Sequence, residues 1–180
     1  MRKKQSVTLY NILFPIWMLV WIPSPLWLLL IPLNFIIDYL VLYKSLPADA
    51  ERSKNSSGSV PRKVFCNTYA WKICAAGFAA DFIGSLFLFA LFMMMDKYKS
   101  GYLKTVSQAL AFNTFANAGA FLIMVLAILL AAYCIYRFDR YILKRAGLPE
   151  GQSKNSALWL AVVTAPYLFL LPSEILYRGW

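Results

Sequence analysis

Four long apolar blocks constrain this chain more than any motif in it. Residues 71–95, 105–136 and 157–177 each reach the roughly 20 apolar residues that a helix, rising about 1.5 Å per residue, needs to cross a bilayer. A fourth block, residues 8–43, opens the chain. Backbone in hydrocarbon must satisfy its own N–H and C=O groups, so such blocks fold as helices. The sequence therefore predicts an all-α, polytopic membrane bundle of about five apolar segments, forming one transmembrane domain over residues 1–180. Composition agrees: 61% of the 180 residues are hydrophobic, 14% are charged and the mean hydropathy is +0.59. A soluble domain of this size needs more polar surface.

The first block is awkwardly long. As one helix it would measure about 54 Å. Ile22-Pro23-Ser24-Pro25 interrupts it, since proline removes a backbone donor and restricts the residue before it. The expected result is a proline-linked hairpin of two arms, residues 8–22 and 26–43. It forms either two short spans in a thinned bilayer or a re-entrant pair, with both ends on one side. Pro15 and Pro32 lie inside the arms, where they should kink them. Met1-Arg2-Lys3-Lys4 before an apolar run imitates a signal peptide. The run holds Pro15 and large aromatics with no small-x-small site after it, so it reads as an uncleaved membrane segment.

Charge sets the expected orientation. The chain carries a formal charge of +10, and of its 18 Lys and Arg only Lys97, Lys99, Lys104 and Arg178 fall in the segments assigned outside. The rest lie at the N-terminus and in or beside residues 44–70 and 137–156, read as cytoplasmic loops by the positive-inside rule. The chain is expected in the cell membrane, with the N-terminus cytoplasmic and the C-terminus outside. Basic residues between apolar blocks meet lipid headgroups, so nucleic acid is not an expected partner. Ser53-Lys54-Asn55-Ser56-Ser57-Gly58-Ser59 has a flexible-linker composition. Gly147 and Pro149 are helix-ending signals. Trp17, Trp21, Trp27, Trp71, Trp159 and Trp180 fit interfacial belts. Arg137-Phe138-Asp139-Arg140-Tyr141 reads as a solvated helix end whose cations face lipid phosphates. Glu174 and Arg178 are spaced for a helical ion pair.

Several chemistries drop out. The chain has no histidine, which removes imidazole bases and His-held metals, so neither metal nor cofactor is expected. Its cysteines, Cys66, Cys74 and Cys134, form no CxxC and read as small buried hydrophobes. No glycine-rich phosphate loop or GxSxG elbow is present, and the halves show no repeat of the inverted-transporter kind.

What remains is a short set of polar residues inside apolar blocks. Asp81 lies about 15 Å past the basic edge of its block, near the bilayer centre. A bare carboxylate there costs roughly 3 kcal/mol. It must be protonated, hydrogen-bonded or wet. Asp38, one turn from Asn34, lies nearer the inner edge, where headgroup water is within reach. Ser85, Asn113 and Asn117 complete a candidate substrate- or ion-binding set, with interhelical hydrogen bonding as their commoner use. Ala76, Ala80 and Gly84 recur every four residues and invite a close helix, within the chain, in a second copy or in another membrane subunit.

These features point to a transport component, such as a permease or solute-binding membrane subunit. Without a nucleotide motif, any ATP-driven step would need a partner chain. A membrane accessory, scaffold or immunity-type protein using the small-residue faces is the rival from another class. A lipid-modifying enzyme or aspartate-dependent protease is a weaker third, because a protease needs two facing aspartates and Asp38 and Asp81 differ in expected depth.

Overall fold

A computed structural model describes residues 15–21, 27–47, 49–50, 60–98 and 101–173. A 3-10 helix, Ile16–Val20, leads into α1 (Trp27–Ser45). Two short strands, β1 (Asp49–Ala50) and β2 (Val60–Pro61), pair antiparallel between α1 and α2 (Arg62–Asp96). Then come α3 (Tyr102–Phe112), a 3-10 turn at Thr114–Ala116, α4 (Ala118–Arg145), α5 (Glu150–Val163) and a 3-10 turn at Tyr167–Leu170. Three helices, α1, α2 and α4, are long and apolar enough to cross a membrane. Their outward faces keep Leu28, Leu122, Leu126 and Leu129 exposed. Water would penalise such an exterior and lipid would not, so the all-α fold is compatible with a membrane-embedded protein.

α2 begins at Arg62, inside the stretch read as polar loop, and its 35 residues measure roughly 50 Å. It is the axis of the bundle. α1, α4 and the first 3-10 helix pack along it, and α5 lies against both α1 and α4. Burial forms two clusters. One joins Leu42, Phe65, Ile73, Ile135, Leu143 and Leu160 where α1 and α4 end and α2 and α5 begin. Lys44, Arg62, Lys144, Arg145 and Lys154 gather at this basic end. The other joins Trp17, Leu88, Met95, Leu110, Met124 and Phe169 at the far end.

Two expected spans are interrupted. The block 105–136 is not one helix. α3 stops at Phe112, and α4 starts afresh at Ala118. Eleven residues make only about 16 Å of helix, so α3 caps the far end instead of crossing. The block 157–177 breaks after Val163, where Thr164-Ala165-Pro166 turns the chain into a 3-10 turn. It still travels the bundle: Leu160 belongs to the basic-end cluster and Phe169 to the far one.

The proline-linked hairpin is not confirmed, nor is a count of five segments. Among the described residues, Trp17 sits at Leu110 near the far end, Trp21 stacks on Phe82, Trp27 on Phe78, and Arg62 donates to the Leu46 carbonyl at the basic end. Residues 15–21 and 27–47 thus take successive places along α2, from its far end to its basic end. Pro32 lies inside α1 as expected, whereas Pro15 caps the 3-10 helix. The Pro23–Pro25 break, the N-terminal basic run, the serine-rich linker centre and the Glu174–Arg178 pair lie outside the described residues.

The α4–α5 connection follows the sequence signals. Gly147 adopts φ +94°, a conformation that penalises any side chain. The Leu148 N–H reaches back to the Leu143 carbonyl, closing the helix end. Pro149 then caps α5. Across this turn Glu150 accepts from Arg140 at 2.9 Å and Lys154 at 3.1 Å. Lys154 above all, with Lys144 and Arg140, holds the Glu150 carboxyl below its ordinary pKa.

The tightest helix contact is at Gly84. A Cβ there would meet the Ala131 Cβ at 3.1 Å and the Ala127 carbonyl at 3.2 Å. Ala80 and Gly84 are both buried, so small residues on α2 admit the small residues of α4. Gly84→Leu should therefore push α2 and α4 apart and destabilise the bundle by about 1–3 kcal/mol. Ala79→Leu, on the exposed side of α2, should be nearly neutral. Thermal unfolding of both variants in the same detergent checks the contrast.

Candidate functional site: acids and a cavity inside the bundle

The helix interruptions leave backbone groups that need partners, and polar side chains supply them. Asn117 accepts from the N–H groups of Gly119 and Ala120 at the start of α4, and Asn113 accepts from the Phe115 N–H. Trp17, 1% exposed, donates its indole N–H to the Leu110 carbonyl at 3.0 Å. Ser173 joins three segments at once: its hydroxyl accepts from the Ile16 N–H and its own N–H donates to the Phe112 carbonyl, each at 2.9 Å. Trp17 is therefore a core residue and not part of an interfacial belt. Ser85 is fully buried, accepts from the Trp21 indole at 2.7 Å and donates to the Phe82 carbonyl. Of the candidate set, Ser85, Asn113 and Asn117 are thus engaged in holding the fold.

Asp38 and Asp81 come together. Asp38 is only 5% exposed, so it does not reach headgroup water. It lies beside the Cys74 thiol and the Thr164 hydroxyl, and a Cβ on Gly77 would stand 4.0 Å from its Oδ2. A third acid, Asp139 of α4, is buried in the same bundle. No described cation forms an ion pair with any of the three. Asp81 Oδ1 is buried without a hydrogen-bond partner, and so are both carboxyl oxygens of Asp139. No hydrogen bond joins the described carboxyls. Among the described residues no cluster of His, Cys, Asp and Glu could hold a metal ion.

Sequence reasoning missed Asp139, taking it as part of a solvated basic end. It is 0% exposed. The signal was present: Ala127, Ala131, Ile135, Asp139 and Leu143 recur every four residues and form the buried stripe of α4. Its flanking Arg137 and Arg140 project off that stripe.

Asp81 also opens onto a cavity of about 600 Å³ between the first 3-10 helix, α1, α2 and the 163–171 turn. Trp27, Leu30, Leu33, Phe78 and Val163 make its walls nearly all apolar, and Asn34 joins Asp81 in the lining. The Thr164 and Tyr167 hydroxyls there already donate to the Leu160 and Val162 carbonyls. Asn34 and Asp81 are left as the polar groups free to meet a ligand. The volume and composition suit a small-molecule pocket.

Comparison with protein-family models, curated proteins and solved structures finds no match to this chain.

The asparagine caps give a direct check on their role. Asn117→Ala leaves two N–H groups unpaired and should cost about 1 kcal/mol, whereas Asn117→Ser keeps an acceptor and should recover most of it. Equal stability of the two variants in a detergent melt would show that capping is not what Asn117 does.

Proposed function

We propose that this protein is a small multi-span transport component, a permease or solute-binding membrane subunit, with an intramembrane acidic site at Asp81. The observation that carries the proposal is the cavity of about 600 Å³ that reaches Asp81, whose buried Oδ1 has no partner within the protein. An intramembrane carboxylate left unsatisfied is costly, and such groups mark substrate, ion or proton paths. Asn34 adds an amide at the cavity wall. The basic end of the bundle faces the cytoplasm of the cell membrane in this reading, following the positive-inside bias.

The accessory-protein alternative requires the small-residue face of α2 to be open to another chain. Ala80 and Gly84 already lie against the chain's own α4, which favours the transport reading. The protease alternative requires two carboxyls that share a water. Asp38 is turned to Cys74 and Thr164, and Asp81 Oδ1 has no hydrogen-bond partner among the described residues.

Asp81→Asn separates function from folding, because the amide keeps the size and removes the charge. Cells expressing the wild-type protein, the Asp81→Asn variant at equal level or neither are given a labelled metabolite mixture. The wild type is expected to change the accumulation of at least one solute, and Asp81→Asn to abolish that change while melting within about 1 kcal/mol of wild type. Identical solute profiles for the wild type and the empty cells would defeat the transport reading.

A further inference from the structure

The chemistry of the cavity narrows what it can hold, and this step rests on the transport reading only in treating the cavity as a substrate site. Its walls are apolar and aromatic. Trp27 and Phe78 lie nearly parallel, 19° apart with centroids at 6.3 Å, and Phe78 is one helical turn from Asp81. A ligand must therefore be mostly hydrocarbon or aromatic to gain from leaving water. At one point it meets an acid whose Oδ1 has no protein partner. Asp38 and Asp139 are further buried acids of the same bundle, and no described cation forms an ion pair with any of the three. Nothing described in the protein supplies a positive partner for the Asp81 carboxyl. An anionic group would be repelled by the Asp81 carboxylate, whereas an ammonium supplies the partner that its Oδ1 lacks.

We infer that the cavity binds a lipophilic amine: a compact aromatic or aliphatic body carrying one ammonium group that sits on the Asp81 carboxylate. The Asn34 carbonyl oxygen accepts a second ammonium proton. The aromatic pair attracts the same cation through its ring faces, an interaction strengthened where water is excluded. The apolar body lies along Leu30, Leu33 and Val163. A carboxylate-to-ammonium hydrogen bond is stronger than one between neutral partners, so charge and not shape decides the preference.

The test compares two probes of nearly equal size, 1-naphthylmethylamine and its uncharged counterpart 1-naphthalenemethanol. Each is equilibrated by dialysis against lipid nanodiscs with and without the purified protein. The amine is expected to bind the wild type at least about tenfold tighter than the alcohol, the usual margin for a hydrogen bond to a charged group. Asp81→Asn should erase that preference and Asp81→Glu should retain it. Leu33→Trp, which fills the cavity without touching the acid, should weaken both probes. Equal affinity of the wild type for both probes would overturn the inference and leave a neutral occupant, such as a lipid tail. Absence of protein-dependent binding would overturn it as well. Both outcomes are read from the wild type, so they stand even if Asp81→Asn does not fold. Proteoliposome uptake then separates the two readings. Tight amine binding without protein-dependent uptake sinks transport and keeps the amine site. A solute profile that depends on Asp81 without amine preference keeps transport and sinks the amine.

Discussion

The structure depends on how it closes the gaps in its helices. A helix in an apolar medium carries its own hydrogen bonds along its length but leaves four donors bare at its N-terminal end and four acceptors bare at its C-terminal end. This chain breaks an apolar block after Phe112 and another after Val163, and each break exposes such ends. Asn113 and Asn117 take N–H groups on one side, and Ser173 and Trp17 take a carbonyl each on the other. Because these partners come from segments far apart in sequence, closing the gaps also ties the first 3-10 helix, α3 and the chain after α5 into one cap. The short elements at the far end have no need to span, since the cap satisfies them in place.

Close helix approach governs the rest. Small residues on α2 and α4 let the two backbones meet at Gly84, and that contact sets where the larger side chains can go. The bundle is dense around it. Where α1 meets α2 the residues are bulkier, and Trp27, Leu30 and Phe78 hold the elements apart. The cavity lies there, against the turn that follows α5. Packing at one seam and space at the next both follow from side-chain volume.

The acids reflect a different balance. Burying a carboxyl without a partner works against folding, and this bundle does so at Asp81 and Asp139 while surrounding Asp38 with only a thiol and a hydroxyl. The salt bridges of Glu150 lie at the surface, where such pairs contribute little. The polar groups that cost most are thus the interior ones. Proteins keep costly interior groups at working sites, which is why the acids and the cavity belong to one reading.

The all-α, apolar character of the chain was legible from the residues alone. Long apolar blocks and the distribution of Lys and Arg led to an apolar helical bundle with a basic end. Gly147 and Pro149 marked the α4–α5 turn, because a positive φ and a missing donor are local properties. Asp81 drew attention through depth, which follows from counting residues along a helix. The breaks at 113–117 and 164–166 were not legible, because hydropathy does not distinguish an asparagine that caps a helix from one inside it. Asp139 could be found from the four-residue spacing of its apolar neighbours, though its flanking arginines hid it. The burial of Asp38 and Asp139 inside the bundle, and the cavity that Asp81 lines, depended on the relative rotation and sliding of α1, α2 and α4. Those depend on contacts between residues distant in sequence, such as Gly84 with Ala131, and periodicity along one helix carries no information about where another helix will lie.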